Sequence, residues 1–120
     1  MGDYESALKI FQKAVSYFGE VRREDRLRIA KWTVARCLRS MKRIDEALSK
    51  QLALKAEFDS IGGSDGYVEE EIGECLLLLN RGDEAKPYFA KAYELLSHDE
   101  WMMENEAERM KRMKELSGLS

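Results

Sequence analysis

Between Val68 and Leu96 the apolar positions fall into two helical runs separated by one polar break. In the first run Ile72, Gly73 and Leu76 have helical spacing. In the second, Ala85, Phe89, Ala92 and Leu96 recur at intervals of four, three and four residues, which puts them on one face. Between the runs, Asn80-Arg81-Gly82-Asp83 supplies a glycine for a turn and an aspartate placed to accept from the free N–H groups of the second helix. Gly73 and Ala85 are small, and small residues at a helix crossing let two backbones approach closely. The pattern predicts a helical hairpin.

The rest of the chain repeats that pattern. Residues 3–18 match the second helix of the hairpin, with Ala7, Phe11 and Ala14 spaced as Ala85, Phe89 and Ala92, and Gly19 reads as the helix end. A helix is predicted from Arg22 to Ser40, its apolar content being Leu27, Ile29, Ala30, Val34, Ala35 and Leu38. A turn at Met41–Ile44 leads to Asp45, read as the cap of a helix running to about Ser60. Gly62-Gly63-Ser64-Asp65-Gly66 reads as a flexible loop. A last helix, Glu100 to Leu116, is announced by Ser97-His98-Asp99. Val34-Ala35-Arg36-Cys37-Leu38 lies over Ile72-Gly73-Glu74-Cys75-Leu76 at a shift of 38 residues, and Asp45-Glu46-Ala47 lies over Asp83-Glu84-Ala85 at the same shift.

These residues resemble the tetratricopeptide repeat, a helix–turn–helix unit of ~34 residues with Leu-Gly and Tyr on its first helix and Ala, Phe, Ala on its second. Ile72-Gly73-xx-Leu76, Gly82-Asp83-Glu84-Ala85-xxx-Phe89-xx-Ala92 and Gly2-Asp3-Tyr4-Glu5-Ser6-Ala7-Leu8 carry the likeness, which covers about residues 2–97. In the middle unit Gln51 and Leu54 replace the aromatic and the small residue, and the period is 38–40 residues. The resemblance implies an all-α, right-handed solenoid of antiparallel helix pairs, about six helices in one domain over residues 1–120. Its parts are 2–19 as the second helix of a truncated repeat, 22–60 as a middle repeat, 66–97 as a third, and 99–117 as a capping helix. The half unit at the start implies a piece of a longer solenoid or a second copy over its open face. In the last helix Met103, Ala107, Met110, Met113 and Leu116 form an apolar stripe, with Glu104, Glu108, Lys111, Arg112 and Glu115 opposite. That stripe reads as a cap on the third hairpin, with an adaptable methionine-rich docking groove as the alternative.

Composition adds bounds. Apolar residues are 44% and charged residues 36% of the chain, with a single proline, which suits a mostly helical protein with charged outer faces. The net charge of −3 argues against general nucleic-acid binding. The longest apolar run, Leu76 to Leu79, is far short of the ~18 residues of a membrane span. Cys37 and Cys75 have no CxxC context and read as reduced, buried thiols of a cytoplasmic protein.

Little chemistry is encoded. His98 is the lone histidine, so neither a His-based nucleophile constellation nor a metal set assembles around it. Glu69, Glu70, Glu71 and Glu74 lack the ExxH pattern of carboxylate-bridged metal bundles and read as a solvated charged face. The glycine-rich segments fit no phosphate-binding motif. The expectation is therefore a non-enzyme with no catalytic residue, no metal and no cofactor.

The partner surface comes from the resemblance, which implies a concave face lined by the first helix of each unit. Its candidate residues are Ile29, Trp32, Thr33, Arg36, Arg39, Tyr67, Glu70, Glu71 and Glu74. The carboxylate clamp of some family members is not matched, because Trp32, Arg36, Tyr67 and Glu71 stand at its positions. Trp32 reads equally as a groove residue or as part of the interhelical core. Residues 22–43 hold nine basic and two acidic side chains, and residues 57–74 hold seven acidic and no basic ones. These blocks pair within the chain, meet a second copy, or steer a partner of mixed charge. The expected function is binding of a peptide or helix of another protein. The alternative is self-association as a homodimer through an exposed repeat face, and RNA contact through residues 22–43 is a minor third reading.

Overall fold

The computed structural model describes residues 2–118, and every regular element among them is an α-helix. The order is α1 (Gly2–Glu20), α2 (Glu24–Ser40), α3 (Ile44–Ser60), α4 (Gly66–Leu78), α5 (Gly82–Leu96), α6 (Glu100–Asn105) and α7 (Ala107–Leu116). Two compact units divide between Leu54 and Lys55, within α3.

One capping device ends α1, α2, α3 and α4. Arg43 N–H donates to Leu38 O at 2.9 Å while Lys42 N–H donates to Arg39 O at 3.0 Å, closing the last carbonyls of α2. The same paired bonds join Arg23 to Phe18 and Arg22 to Gly19, Gly63 to Phe58 and Gly62 to Asp59, and Arg81 to Leu76 and Asn80 to Leu77. This geometry needs one left-handed residue per turn. That residue is Arg22, Lys42 and Asn80 at φ 56°, 68° and 63°, and a glycine only at Gly62, φ 71°. The turn glycine expected at Gly82 is instead the first residue of α5, and α1 continues one residue past Gly19. Asp45 and Asp83 do not cap, since α3 and α5 begin just before them. They stand in the first turn, where a carboxylate still complements the helix dipole. The caps that operate are Asp65, whose Oδ1 accepts from Tyr67 N at 2.8 Å and Val68 N at 3.1 Å, and Asp99, which accepts from Met102 N at 3.3 Å.

In the first unit α1 and α2 pack antiparallel, with Cys37 Sγ near the end of α2 lying 3.8 Å from Tyr4 O near the start of α1. The buried side chains include Leu8, Ala30, Val34, Ala35, Leu38, Ala47, Leu48 and Leu54. Gln51 is buried among them. Its Nε2 makes a long bond of 3.5 Å to Trp32 O, and its Oε1 has no partner.

In the second unit α4 and α5 form the antiparallel hairpin that the sequence predicted. Gly66 lies against Leu96 and Gly73 against Phe89, so contacts step seven residues forward on α4 and seven back on α5. A Cβ at Gly73 would sit 3.0 Å from the Phe89 ring, and at Gly66 2.7 Å from Leu96 Cγ. Two glycines thus set the interhelical distance. Gly66, expected in a flexible loop, is a packing position.

The expected last helix is two. The chain breaks at Glu106 (φ −124°, ψ 39°) between α6 and α7. The break rotates the methionine stripe, so Met102, Met110 and Met113 are buried and Met103 is 42% exposed. α7 packs on α5 and α6. It also stays in phase with the repeat. Val34, Ile72 and Met110, each 38 residues apart, are all buried, as are Cys37, Cys75 and Met113. The left-handed residues Lys42 and Asn80 are followed at the same spacing by Gly118, φ 80°.

Candidate interaction surfaces

The expected partner residues fall into two groups, one in each unit. On α2, Ile29 is 66% exposed, Arg36 is exposed, and Trp32, Thr33 and Arg39 are half-buried. Thr33 Oγ1 donates to Ile29 O at 2.9 Å, holding the hydroxyl against its own helix. One turn after Trp32, the Arg36 guanidinium lies over the indole ring at 5.8 Å from its centroid. Ile29, Trp32, Thr33 and Arg36 therefore form an apolar and cationic strip on successive turns of one helix.

On α4 the acidic run is not a solvated face. Glu69, Glu70 and Glu71 are 3–4% exposed. Glu69 faces one side of the helix and accepts from Lys55 Nζ at 2.7 Å, near the end of α3. On the other side Glu70 accepts from Arg109 through two bonds, at 2.8 and 2.5 Å, while the Arg109 guanidinium lies 5.6 Å from the Tyr67 ring centroid. One turn on, Glu74 pairs with both terminal nitrogens of Arg112. Buried carboxylates are tolerated only when paired and hydrogen-bonded, and α3 and α7 supply the cations. These pairings hold the Lys55 ammonium and the Arg109 guanidinium charged to higher pH than usual, through the hydrogen bonds that they donate to Glu69 and Glu70 respectively. Burial, reinforced by Asp99, raises the Tyr67 phenol above its ordinary value. Tyr67, Glu70 and Glu74 thus face the arginines of α7.

Sequence reading did not anticipate Lys55, Arg109 and Arg112 as partners of the acidic run. A signal was present. Arg112 follows Glu74 by 38 residues, the repeat spacing, and stacked repeats set equivalent positions side by side. Opposite charges at that spacing are candidates for an ion pair.

A shallow cleft in the second unit is lined by Leu77, Gly82, Asp83, Ala85, Lys86, Phe89, Glu115 and Leu116, with no serine, cysteine or histidine among them. Cys37 and Cys75 are buried and form no disulfide, and His98 is exposed. Among the described residues, no group of three or more His, Cys, Asp or Glu side chains is arranged to hold a metal ion. No helix among them is long and apolar enough to cross a membrane.

Further exposed apolar side chains lie along α1, where Ile10 and Tyr17 are 64% and 59% exposed, and just past its end at Val21, 46% exposed; others are Leu52, Ile61, Leu78, Trp101 and Met103. Against this geometry, comparison of the chain with protein-family models, with curated proteins and with solved structures finds no match.

Proposed function

We propose that this protein is a non-catalytic helical-repeat module of the tetratricopeptide type, a right-handed solenoid that holds a peptide or helix of a partner protein. The observation that carries this reading is the 38-residue phase running through α2, α4 and α7, with Val34, Ile72 and Met110 buried at equivalent positions. The glycine-on-phenylalanine crossing of α4 and α5 supports it further. Elements repeated in phase build extended surfaces suited to other polypeptides.

The binding strip is Ile29, Trp32, Thr33 and Arg36, with Arg39 beside it. Tyr67, Glu70 and Glu74 serve the docking of α7. An exposed isoleucine next to a tryptophan–arginine stack fits a short amphipathic partner with an apolar anchor and a carboxylate. Two buried cysteines outside any disulfide suit a reducing, cytoplasmic setting.

Peptides selected from a random display library against the folded chain test the reading. Ile29→Asp and Arg36→Glu, with circular dichroism unchanged, should each weaken the recovered peptides at least about tenfold. Recovery of no peptide, or equal binding to both variants, removes the strip from the proposal.

A further inference from the structure

Beyond peptide binding, we infer that α1 pairs antiparallel with α1 of a second copy of this chain. The inference starts from a stripe that joins Ala7 and Ala14 of the repeat pattern to residues outside it. Asp3, Ala7, Ile10, Ala14, Tyr17 and Val21 follow one another at intervals of four, three, four, three and four residues. That spacing keeps one seam of a helix facing a partner helix along its whole length.

Within the first unit the seam is poorly covered. Leu8, at the far edge of the apolar face, is 5% exposed, whereas Ile10 and Tyr17 are 64% and 59% exposed. The equivalent seam of α5 shows what a covered one looks like. There Ala85 and Ala92 are 1% and 0% exposed where Ala7 and Ala14 are half-buried, Tyr88 and Leu95 are half-buried where Ile10 and Tyr17 are exposed, and α4 and α7 both pack on the helix.

The seam is complementary to itself in one direction only. When two copies run antiparallel about a point midway between Ile10 and Ala14, Ile10 of each meets Ala14 of the other, and Tyr17 meets Ala7. Large side chains then stand against small ones. The same alignment places Asp3 against Val21 and the adjoining Arg22, so the acidic first turn meets a cation beyond the partner's last turn. Arg22 is exposed, and no residue of α1's last turn is basic. A parallel pairing instead sets Ile10 on Ile10, Tyr17 on Tyr17 and Asp3 on Asp3, which is unfavourable in shape and charge. Closed two-fold association of this kind covers the seam of both copies, so pairing through it stops at a dimer.

In α7 the repeat phase provides no second seam of this kind. The α7 residues 38 positions after Gly73 and Leu77 are Lys111 and Glu115, both exposed and charged where an apolar seam needs small or apolar neighbours.

Light scattering coupled to size exclusion on the 120-residue chain is the first measurement, with a mass of twice 13.9 kDa expected. Tyr17→Asp should shift the chain to monomer at unchanged helicity. Asp3→Arg and Arg22→Asp should each weaken the dimer, and an equimolar mixture of the two should restore it, since both of its ends then pair opposite charges. A chain with Asp3→Cys and Val21→Cys should cross-link under mild oxidation, and Asp3→Cys alone should not. A wild-type monomer at every concentration overturns the inference, because the seam is then covered by something other than a copy. A dimer that survives Tyr17→Asp, or one not restored in the mixture, overturns it equally. Because Tyr17 is not part of the α2 strip, peptide binding by Tyr17→Asp should match wild type, which separates this inference from the proposed function.

Discussion

Helices α1 and α5 carry the same Ala-xxx-Phe-xx-Ala pattern and have different surroundings. In α5, Ala85, Phe89 and Ala92 are at most 1% exposed, and the Phe89 ring lies beneath Gly73. In α1, Ala7, Phe11 and Ala14 are only half-buried. Both helices are amphipathic by sequence, so the pattern specifies which face is apolar and not how much of it is covered. Coverage depends on neighbours. α5 has α4 on one side and α7 on the other, whereas α1 packs on α2 and leaves Ile10, Tyr17 and Val21 exposed.

Paired truncations give the widest separation between the two helices. Phe89→Ala should destabilise the protein by about 4 kcal/mol, since a fully buried ring leaves a cavity under Gly73. Phe11→Ala should cost about 1–2 kcal/mol, because a half-buried ring loses less transfer energy and leaves an open dent. Urea denaturation of both variants checks the ordering, and equal losses would mean that α1 is as well covered in solution as α5.

The cover that α7 provides comes next in size. Arg109→Met leaves Glu70 buried without its cation and should cost about 2–3 kcal/mol, at the low side for a buried pair because Arg109 is partly exposed. Adding Glu70→Leu should recover most of that loss. Thermal melts of the single and double variants read the difference. A double variant as unstable as the single one would show that packing of α7, and not the stranded charge, is responsible.

Gly73→Ala tests the α4–α5 distance directly. The added methyl meets the Phe89 ring at 3.0 Å, and the strain should exceed the gain of about 1 kcal/mol from better helix propensity. The expected net loss is about 1 kcal/mol by chemical denaturation, and a stabilised variant would show that the hairpin relaxes freely. Lys42→Gly should act the other way, since glycine relieves a left-handed residue and adds about 0.5–1 kcal/mol of stability.

The smallest effect is electrostatic. Arg81 Nε donates to Glu84 at 2.7 Å in the first turn of α5, and Arg43 does the same to Glu46 in α3 at 2.9 Å, while α1 has no counterpart pair. These hydrogen bonds lower the Glu84 and Glu46 carboxyls from the ordinary 4.5. A carboxyl whose value is lower in the folded chain stabilises it above pH 4.5, and that contribution fades as pH falls through the lowered folded value. Both pairs lie at the surface, so the effect should shrink in high salt. Melting temperatures of Glu84→Gln and wild type should converge as pH drops below that range.

Several features were legible before any coordinates. The helical periods of Ile72–Leu76 and Ala85–Leu96, the 38-residue shift and the small residue at Gly73 all announced the hairpin that α4 and α5 form. Local signals misled at helix ends. Gly82, Asp83 and Asp45 look like turn and cap residues, yet the bonds from Arg43 and Arg81 put the left-handed position on Lys42 and Asn80. The break at Glu106 was hidden because Met102 and Met103 are equally apolar, and only tertiary packing, which buries Met102 and leaves Met103 exposed, selects between them.

The amino-acid sequence by itself determined that the chain is helical, where its apolar faces lie, and the spacing at which they return. Those are consequences of local backbone geometry and of a period written in neighbouring residues. Tertiary structure alone decided that Glu69, Glu70 and Glu71 are buried and that the α1 seam is exposed. A charge or an apolar side chain takes its environment from residues that are distant along the chain, and Arg109 reaches Glu70 across 39 positions.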